Sequence, residues 1–258
     1  VIPRAFITAW KQTAPWVSDA QVEQDLVISR SLVEIFSDDL LANTLAFRGG
    51  TALHKLYFAP APRYSEDIDL VQIRPESIGP VIDRLRKILN YLGEAKIKQK
   101  DRNTTLLFRF QTEVEPVINM RLKIEINCRE HQFVFGPVKK NYSVDSPWFS
   151  GKADLTTFKL EELLATKVRA LYQRRKGRDL FDLWYADQHA AINWLMVMQA
   201  FHQIMETDAT PVTVKQLRLN LEEKLVHPDF LTDISNLLRP EIQFEPKGLN
   251  TDFLWGEK

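Results

Sequence analysis

Two aspartates one residue apart, Asp67 and Asp69 in Ser65-Glu66-Asp67-Ile68-Asp69-Leu70, are the first residues whose spacing suggests chemistry. In an extended strand successive side chains alternate faces, so both carboxylates point one way while Ile68 and Leu70 point into a core. Side by side they repel and raise each other's pKa, and a divalent cation is the simplest group that makes the arrangement favourable. A solvated strand edge or turn explains Asp-x-Asp as well, since carboxylates are common on surfaces. A second segment alternates cleanly, with Arg121, Lys123, Glu125 and Asn127 on one face and Leu122, Ile124, Ile126 and Cys128 on the other. Alone it reads as an amphipathic strand with a salt-bridged outer face. Beside the first strand in a sheet, Glu125 supplies a third carboxylate to the face of Asp67 and Asp69. Three carboxylates from two strands suit Mg²⁺ (or Mn²⁺), a hard cation that takes oxygen ligands and bridges to substrate phosphates.

Upstream lies Arg48-Gly49-Gly50-Thr51-Ala52-Leu53-His54-Lys55. Paired glycines between a strand and a helix let the backbone pass close to a ligand. A helix opening near Thr51 offers free N–H groups and its positive dipole end to a phosphate. A plain loop pair is the commoner origin of Gly-Gly, and neither the G-x-x-x-x-G-K-[ST] nor the G-x-G-x-x-G pattern occurs. Ser65 falls on the face of both aspartates if the strand extends that far, as a phosphate contact or as a cap on the preceding turn. Farther on, Lys159 to Arg178 holds seven basic residues against Glu161 and Glu162. Lys167, Arg174 and Arg178 share one face at helical spacing, and Leu160, Leu163, Leu164, Val168 and Leu171 make the opposite, apolar one. Acids at a helix start and bases at its end complement the dipole, which accounts for the arginines without a ligand. Lys167 sits mid-helix next to core positions, where a charge needs a reason. Arg178 and Asp179 have a second reading, as an ion pair locking the two halves of the chain together.

These residues need elements to position them. The patterning predicts a helix over Asp25–Leu41, a short strand at Thr44–Arg48, a helix from Thr51 to Phe58, a Pro-rich loop and a strand at Ile68–Ile73. A helix follows at Val81–Leu92, then strands at Thr104–Phe110 and Val117–Cys128, with a third candidate at Phe133–Phe135. After about Leu155 the strand signal fades, and Leu160–Arg175, Asp179–Ala186, Ile192–Met205, Val214–Leu225 and Phe230–Leu238 all suit helices. The expected class is therefore α/β (α+β): a mixed-sheet domain over 1–155 followed by a helical domain over 156–258, with the boundary in Ser146–Thr157 where Pro147, Gly151 and short polar residues cluster. The Pro- and Gly-interrupted tail from Pro240 is expected to wrap the surface.

The order of these motifs carries more than any one of them. Gly-Gly, an Asp-x-Asp strand seventeen residues after Gly50 and a hydrophobic–Glu–hydrophobic strand resemble the nucleotidyltransferase superfamily of DNA polymerase β and the aminoglycoside nucleotidyltransferases. Phe47–Lys55, Arg63–Leu70 and Lys167…Arg178-Asp179-Leu180-Phe181-Asp182-Leu183 narrow the resemblance to the AbiEii/AbiGii toxins of type IV toxin–antitoxin and abortive-infection systems, over about Phe47 to Trp184. The resemblance implies a nucleotidyltransferase-like fold and transfer of NMP from an NTP to an acceptor hydroxyl. It implies that Asp67, Asp69 and Glu125 hold the metal, that Gly49, Gly50, Thr51 and Ser65 contact phosphates, and that Lys55 and Arg178 add charge. Lys167 is implied to hold the triphosphate, and Asp179 to be the catalytic aspartate of the last motif, with Asp182 as the competing choice. RNA is the implied acceptor, a tRNA 3′ end foremost, with Arg174–Arg178 as a phosphate-contacting surface; the implied partner is a cognate antitoxin encoded nearby. Two other functions stay open: a related enzyme acting on a small molecule or a protein hydroxyl, and a non-catalytic module that retains one nucleotide.

Composition narrows the classes. In 258 residues, 34 Lys and Arg balance 34 Asp and Glu, so any nucleic-acid contact must be local rather than a general coating. The single cysteine, Cys128, excludes an intrachain disulfide. The five histidines show neither His-x-x-x-His nor His-Glu-x-x-His spacing, which argues against a zinc hydrolase, and no Gly-x-Ser-x-Gly elbow supports acyl transfer. The longest apolar-rich run, Ala190 to Phe201, falls well short of the roughly 20 residues of a membrane span. Val1–Trp16 has no basic-then-apolar signal pattern. The expectation is a cytoplasmic protein without a membrane partner.

Overall fold

A computed structural model describes residues 2–100, 103–113 and 115–255; the end of the expected tail, 256–258, lies outside them. The chain forms two compact units, 1–158 and 159–258.

The first unit is built on one seven-stranded sheet. Its strands are β1 (Leu45–Arg48), β2 (Asp67–Gln72), β3 (Lys96–Lys100), β4 (Asn103–Gln111), β5 (Asn119–Asn127), β6 (Pro137–Asp145) and β7 (Ser150–Phe158), in the order β3-β4-β5-β2-β1-β7-β6. Two pairings, β2 with β5 and β1 with β7, are parallel, and the other four are antiparallel. Helices α1 (Arg4–Trp10), α2 (Asp19–Phe36), α3 (Asp39–Thr44), α4 (Gly49–Leu56) and α5 (Gly79–Ile88) complete the unit. The central helix α2 packs on β5, β6 and β7 and is buried on nearly every side. Leu106, Phe108, Leu122, Ile124, Ile126, Ile68 and Leu70 fill the sheet's inner face.

Two expectations need correction here, and two strands, β3 and β6, have no counterpart among the expected elements. Residues 150–158 are not a linker but β7, which pairs with both β1 and β6. Its short polar residues conceal an alternation in which Ala153, Leu155 and Thr157 face inward and are buried. Phe133–Phe135 is a loop that still contributes to packing, the Phe133 ring lying 4.5 Å from that of Phe158. The exposed strand β3 carries no apolar stripe and left no alternation to read.

The second unit is helical: α6 (Leu160–Gln173), α7 (Gly177–His189), α8 (Trp194–Thr207), α9 (Val214–Lys224) and α10 (Pro228–Thr232). Lys159–Arg178 is not one continuous helix. It breaks at Arg174, whose backbone is extended, and α7 starts afresh at Gly177. A Cβ at Gly177 would lie 2.1 Å from the Phe230 carbonyl oxygen, so only glycine lets α10 come this close. Lys224 of α9 donates to the terminal carbonyls of Leu171 and Tyr172, satisfying the end of α6.

Candidate active site

Parallel pairing of β2 with β5 sets Asp67 opposite Lys123 and Asp69 opposite Glu125, which puts all three carboxylates on one face. The register is fixed by what lies behind it. Ile68, Leu70, Ile124 and Ile126 fill the core, and a slip of one residue would drive the carboxylates inward in their place. Buried Gln24 of α2 clamps the same two strands, its Nε2 donating to the carbonyls of Glu66 and Arg121 at 3.1 Å each. Lys123 occupies the space between the strands: Nζ lies 3.1 Å from Asp67 Oδ2 and 3.2 Å from Glu125 Oε2. Burial opposes the Lys123 charge, but Asp67 and Glu125 outweigh it and hold its pKa above the ordinary lysine value. Asn103 of β4 orients Glu125 further, donating to Oε1 at 2.8 Å. Asp69 forms no ion pair among the described residues. Burial and the neighbouring Asp67 charge push its pKa upward, against partial relief from Arg48 and Lys123.

The glycine pair meets these carboxylates from β1. Arg48 is in register with Asp69, and the chain then turns into α4 through Gly49 at φ 79°. A Cβ there would lie 2.2 Å from Asp69 Oδ2, so the glycine is required both by the left-handed backbone and by the approach of the carboxylate. Helix α4 starts at Gly49 rather than at Thr51, and no side chain caps it. The Thr51 hydroxyl donates to the Asp67 carbonyl at 2.5 Å, so at 2.7 Å it accepts from Ser65. Ser65 lies ahead of β2 rather than in it, and the two hydroxyls tie the entry of β2 to the first turn of α4. Lys55 is turned away from this edge. Its ammonium is buried between Asp25 Oδ2 at 3.0 Å and Ser29 Oγ at 2.9 Å, which assigns it to the packing of α4 on α2 rather than to a phosphate.

In the second unit the structure gathers Lys167, Asp179 and Asp182. Lys167 Nζ lies 3.2 Å from Asp179 Oδ1 and 2.8 Å from Asp182 Oδ2, and both aspartates are wholly buried. Arg174 adds a two-pronged contact to Asp179, at 2.7 and 2.9 Å. Burial alone would raise the Asp179 pKa, but Lys167 and Arg174 reverse the sign and hold it below the ordinary value. Asp179 and Asp182 therefore share one lysine. Arg178 is not the partner of Asp179: with Lys176 it faces Asp233, which also accepts from the Arg178 backbone N–H. The expected basic surface over Arg174–Arg178 is in large part committed to these ion pairs.

Among the described residues no three carboxylates, imidazoles or thiols are gathered closely enough to hold a metal ion as they stand. By donor chemistry the sheet carboxylates nonetheless fit one. They are hard oxygen ligands on one face, and an ammonium already marks a cation position between two of them. Lys123, Asn103 and Gln24 belong to this site although no sequence motif gives them a role in it. The signal for Lys123 was present, since it alternates onto the face of Glu125; Gln24 and Asn103 act through pairings that no local pattern encodes.

A comparison with curated proteins finds no significant match. Among solved structures the fold is similar to MenT4, a nucleotidyltransferase toxin from Mycobacterium tuberculosis, at TM-score 0.63 and 17% identity over 98% of this chain and 92% of that one. It is also similar to JHP933 from Helicobacter pylori, at TM-score 0.50 and 19% identity over 80% of this chain and 90% of that one. At such identities the likeness concerns the fold. The sequence itself matches the family described as nucleotidyl transferase AbiEii toxin, type IV toxin–antitoxin system, over residues 30–252, and the chain belongs to that family.

Proposed function

We propose that this toxin is a metal-dependent enzyme that moves NMP from an NTP to a hydroxyl on RNA, with the tRNA 3′ end as the foremost acceptor, acting in the cytoplasm against a cognate antitoxin encoded nearby. One observation carries the reading: register places Asp67, Asp69 and Glu125 on a single face, and Asp69 abuts the glycine that opens α4. Mg²⁺ or Mn²⁺ held by these carboxylates would stabilise charge on the attacking and leaving oxygens. Glu125, oriented by Asn103, completes the metal site or takes the proton of the acceptor hydroxyl. As the acceptor oxygen bonds to the α-phosphorus, the bond to the β-phosphate oxygen breaks and pyrophosphate leaves. The uncapped first turn of α4, through Gly49, Gly50 and Thr51, seats a phosphate by its N–H groups and dipole. Thr51 and Ser65 hold that turn against β2. In the second unit Asp179 and Asp182 fix the Lys167 ammonium between them, and Arg178 is engaged with Asp233.

The test uses purified protein, Mg²⁺, each α-labelled NTP in turn and total tRNA, resolved on a denaturing gel. Label is expected on tRNA with one NTP and is expected to fall about a hundredfold or more in Asp69→Asn. In metal-free buffer the same variant should melt higher than wild type, because a partly buried charge repelled by Asp67 is removed. Label on the protein instead would make it a protein nucleotidyltransferase. Undiminished labelling by Asp69→Asn would overturn the carboxylate assignment.

A further inference from the structure

The face that carries the three carboxylates does not end at β5. Register continues it across the antiparallel pairs, with Arg121 opposite Arg109 and Lys123 opposite Leu107, then Leu107 opposite Lys96, Thr105 opposite Lys98 and Asn103 opposite Lys100. Five cations, Lys96, Lys98, Lys100, Arg109 and Arg121, are thus exposed on one face, and none forms an ion pair among the described residues. On β2 to β5 the only carboxylates sharing it are Asp67, Asp69 and Glu125. In a chain with equal numbers of acidic and basic residues, this is a segregation of charge.

We propose that this face of β3, β4 and β5 binds the phosphate backbone of the RNA acceptor and leads its 3′ end to Asp67, Asp69 and Glu125. The inference rests on the reading of RNA as acceptor given above. At about 4.8 Å per strand, β3 lies about 14 Å from β2, and along β3 the lysines recur about every 6.8 Å. That makes a row of cations running beside the carboxylates at a distance that several nucleotides span. Directly opposed like charges destabilise a strand pair, so the Arg109–Arg121 pairing asks for an anion to lie over it. Lysines on an edge strand also discourage edge-to-edge pairing. That role needs no particular face, whereas Lys96, Lys98 and Lys100 all share the face of two arginines one and two strands farther in. The alternative basic segment, Arg174–Arg178, has Arg174, Lys176 and Arg178 engaged with Asp179 and Asp233.

The experiment is anisotropy of fluorescent tRNA titrated with full-length protein between low and moderate salt. The proteins compared are wild type, the triple variant Lys96→Ser/Lys98→Ser/Lys100→Ser and the triple Lys→Arg variant at the same sites. The Ser variant should bind about tenfold more weakly at low salt, with a slope of log affinity against log salt shallower by about 2. The Arg variant should keep the wild-type slope, which separates charge from any effect of the Ser substitutions on folding. If wild type binds tRNA and the Ser variant binds equally well with the same slope, the sheet face is overturned while the RNA reading stands. If wild type binds no tRNA, the RNA reading fails and takes this inference with it.

Discussion

Lys123 stands where a metal-dependent reading of the carboxylate face puts a cation. Its ammonium touches Asp67 and Glu125 at once, and it is half-buried, as they are. In the metal-free protein this contact relieves a repulsion that would otherwise fall on three carboxylates packed on two strands. The same contact means that a divalent ion must displace the ammonium before it gains Asp67 and Glu125 as ligands. Ion pairs of this exposure are worth about 1 kcal/mol at most, which sets the scale of the competition. Replacing Lys123 by Met should therefore tighten Mn²⁺ binding about fivefold, read from free Mn²⁺ by electron paramagnetic resonance without any turnover. It should also lower the melting temperature in metal-free buffer, because the carboxylates lose their counter-charge. Equal or weaker Mn²⁺ binding by the variant would show that the ion does not compete for the Lys123 position.

At the scale of elements, α6 and α7 are joined by ion pairs centred on buried carboxylates, with Lys167 nearly buried and Arg174 half-exposed. Lys167 and Arg174 hold two wholly buried aspartates, and breaking such a pair leaves an uncompensated charge behind, at about 3 kcal/mol or more. Asp179 is held below its ordinary value of 3.8, so its ionised form stabilises the fold above that pH. The contribution declines as acid carries the pH below 3.8 toward the folded-state value. Acid unfolding followed by circular dichroism should accordingly steepen below about pH 4, and Asp179→Asn should be less stable at pH 7 with a flatter acid limb. A parallel acid limb in the variant would remove Asp179 from the account. This cluster was only half legible in the sequence. Lys167 drew notice as a charge among core positions, and Asp179 and Asp182 as motif residues. Their meeting depends on the break at Arg174. The expected helix ends at Arg175 and Asp179 place that break to within about two residues, whereas the pairing across it has no local pattern. β2 and β5 were readable because each buries one face and leaves the other polar. β3 was unreadable because both its faces are exposed, and β7 because threonine and alanine serve as its core residues. The glycine pair was legible as a turn, whereas the need for Gly49 lies in a contact with Asp69 twenty residues away.

For the molecule as a whole, the proposed chemistry and the stability of the fold rest on different residues, and that separation can be read in a living cell. The carboxylate face is held in place by the core behind it, and Asp69 is strained by its surroundings, so neutralising a carboxylate there should not endanger the fold. The α6–α7 cluster is the reverse: its two carboxylates are wholly buried and paired, and a loss of a few kcal/mol would cut the amount of folded protein several-fold. Membership in a toxin family predicts that expression of the chain arrests growth. Asp67→Asn should abolish the arrest while accumulating as soluble protein at the wild-type level, since besides the proposed chemistry it removes only a partly exposed pair with Lys123, worth about 1 kcal/mol at most. Asp179→Asn should weaken the arrest together with a fall in soluble protein. Growth curves paired with quantitative blots of the soluble fraction separate the two cases. Growth arrest by Asp67→Asn at matched protein level would mean that toxicity does not pass through the carboxylate face, whatever the fold resembles.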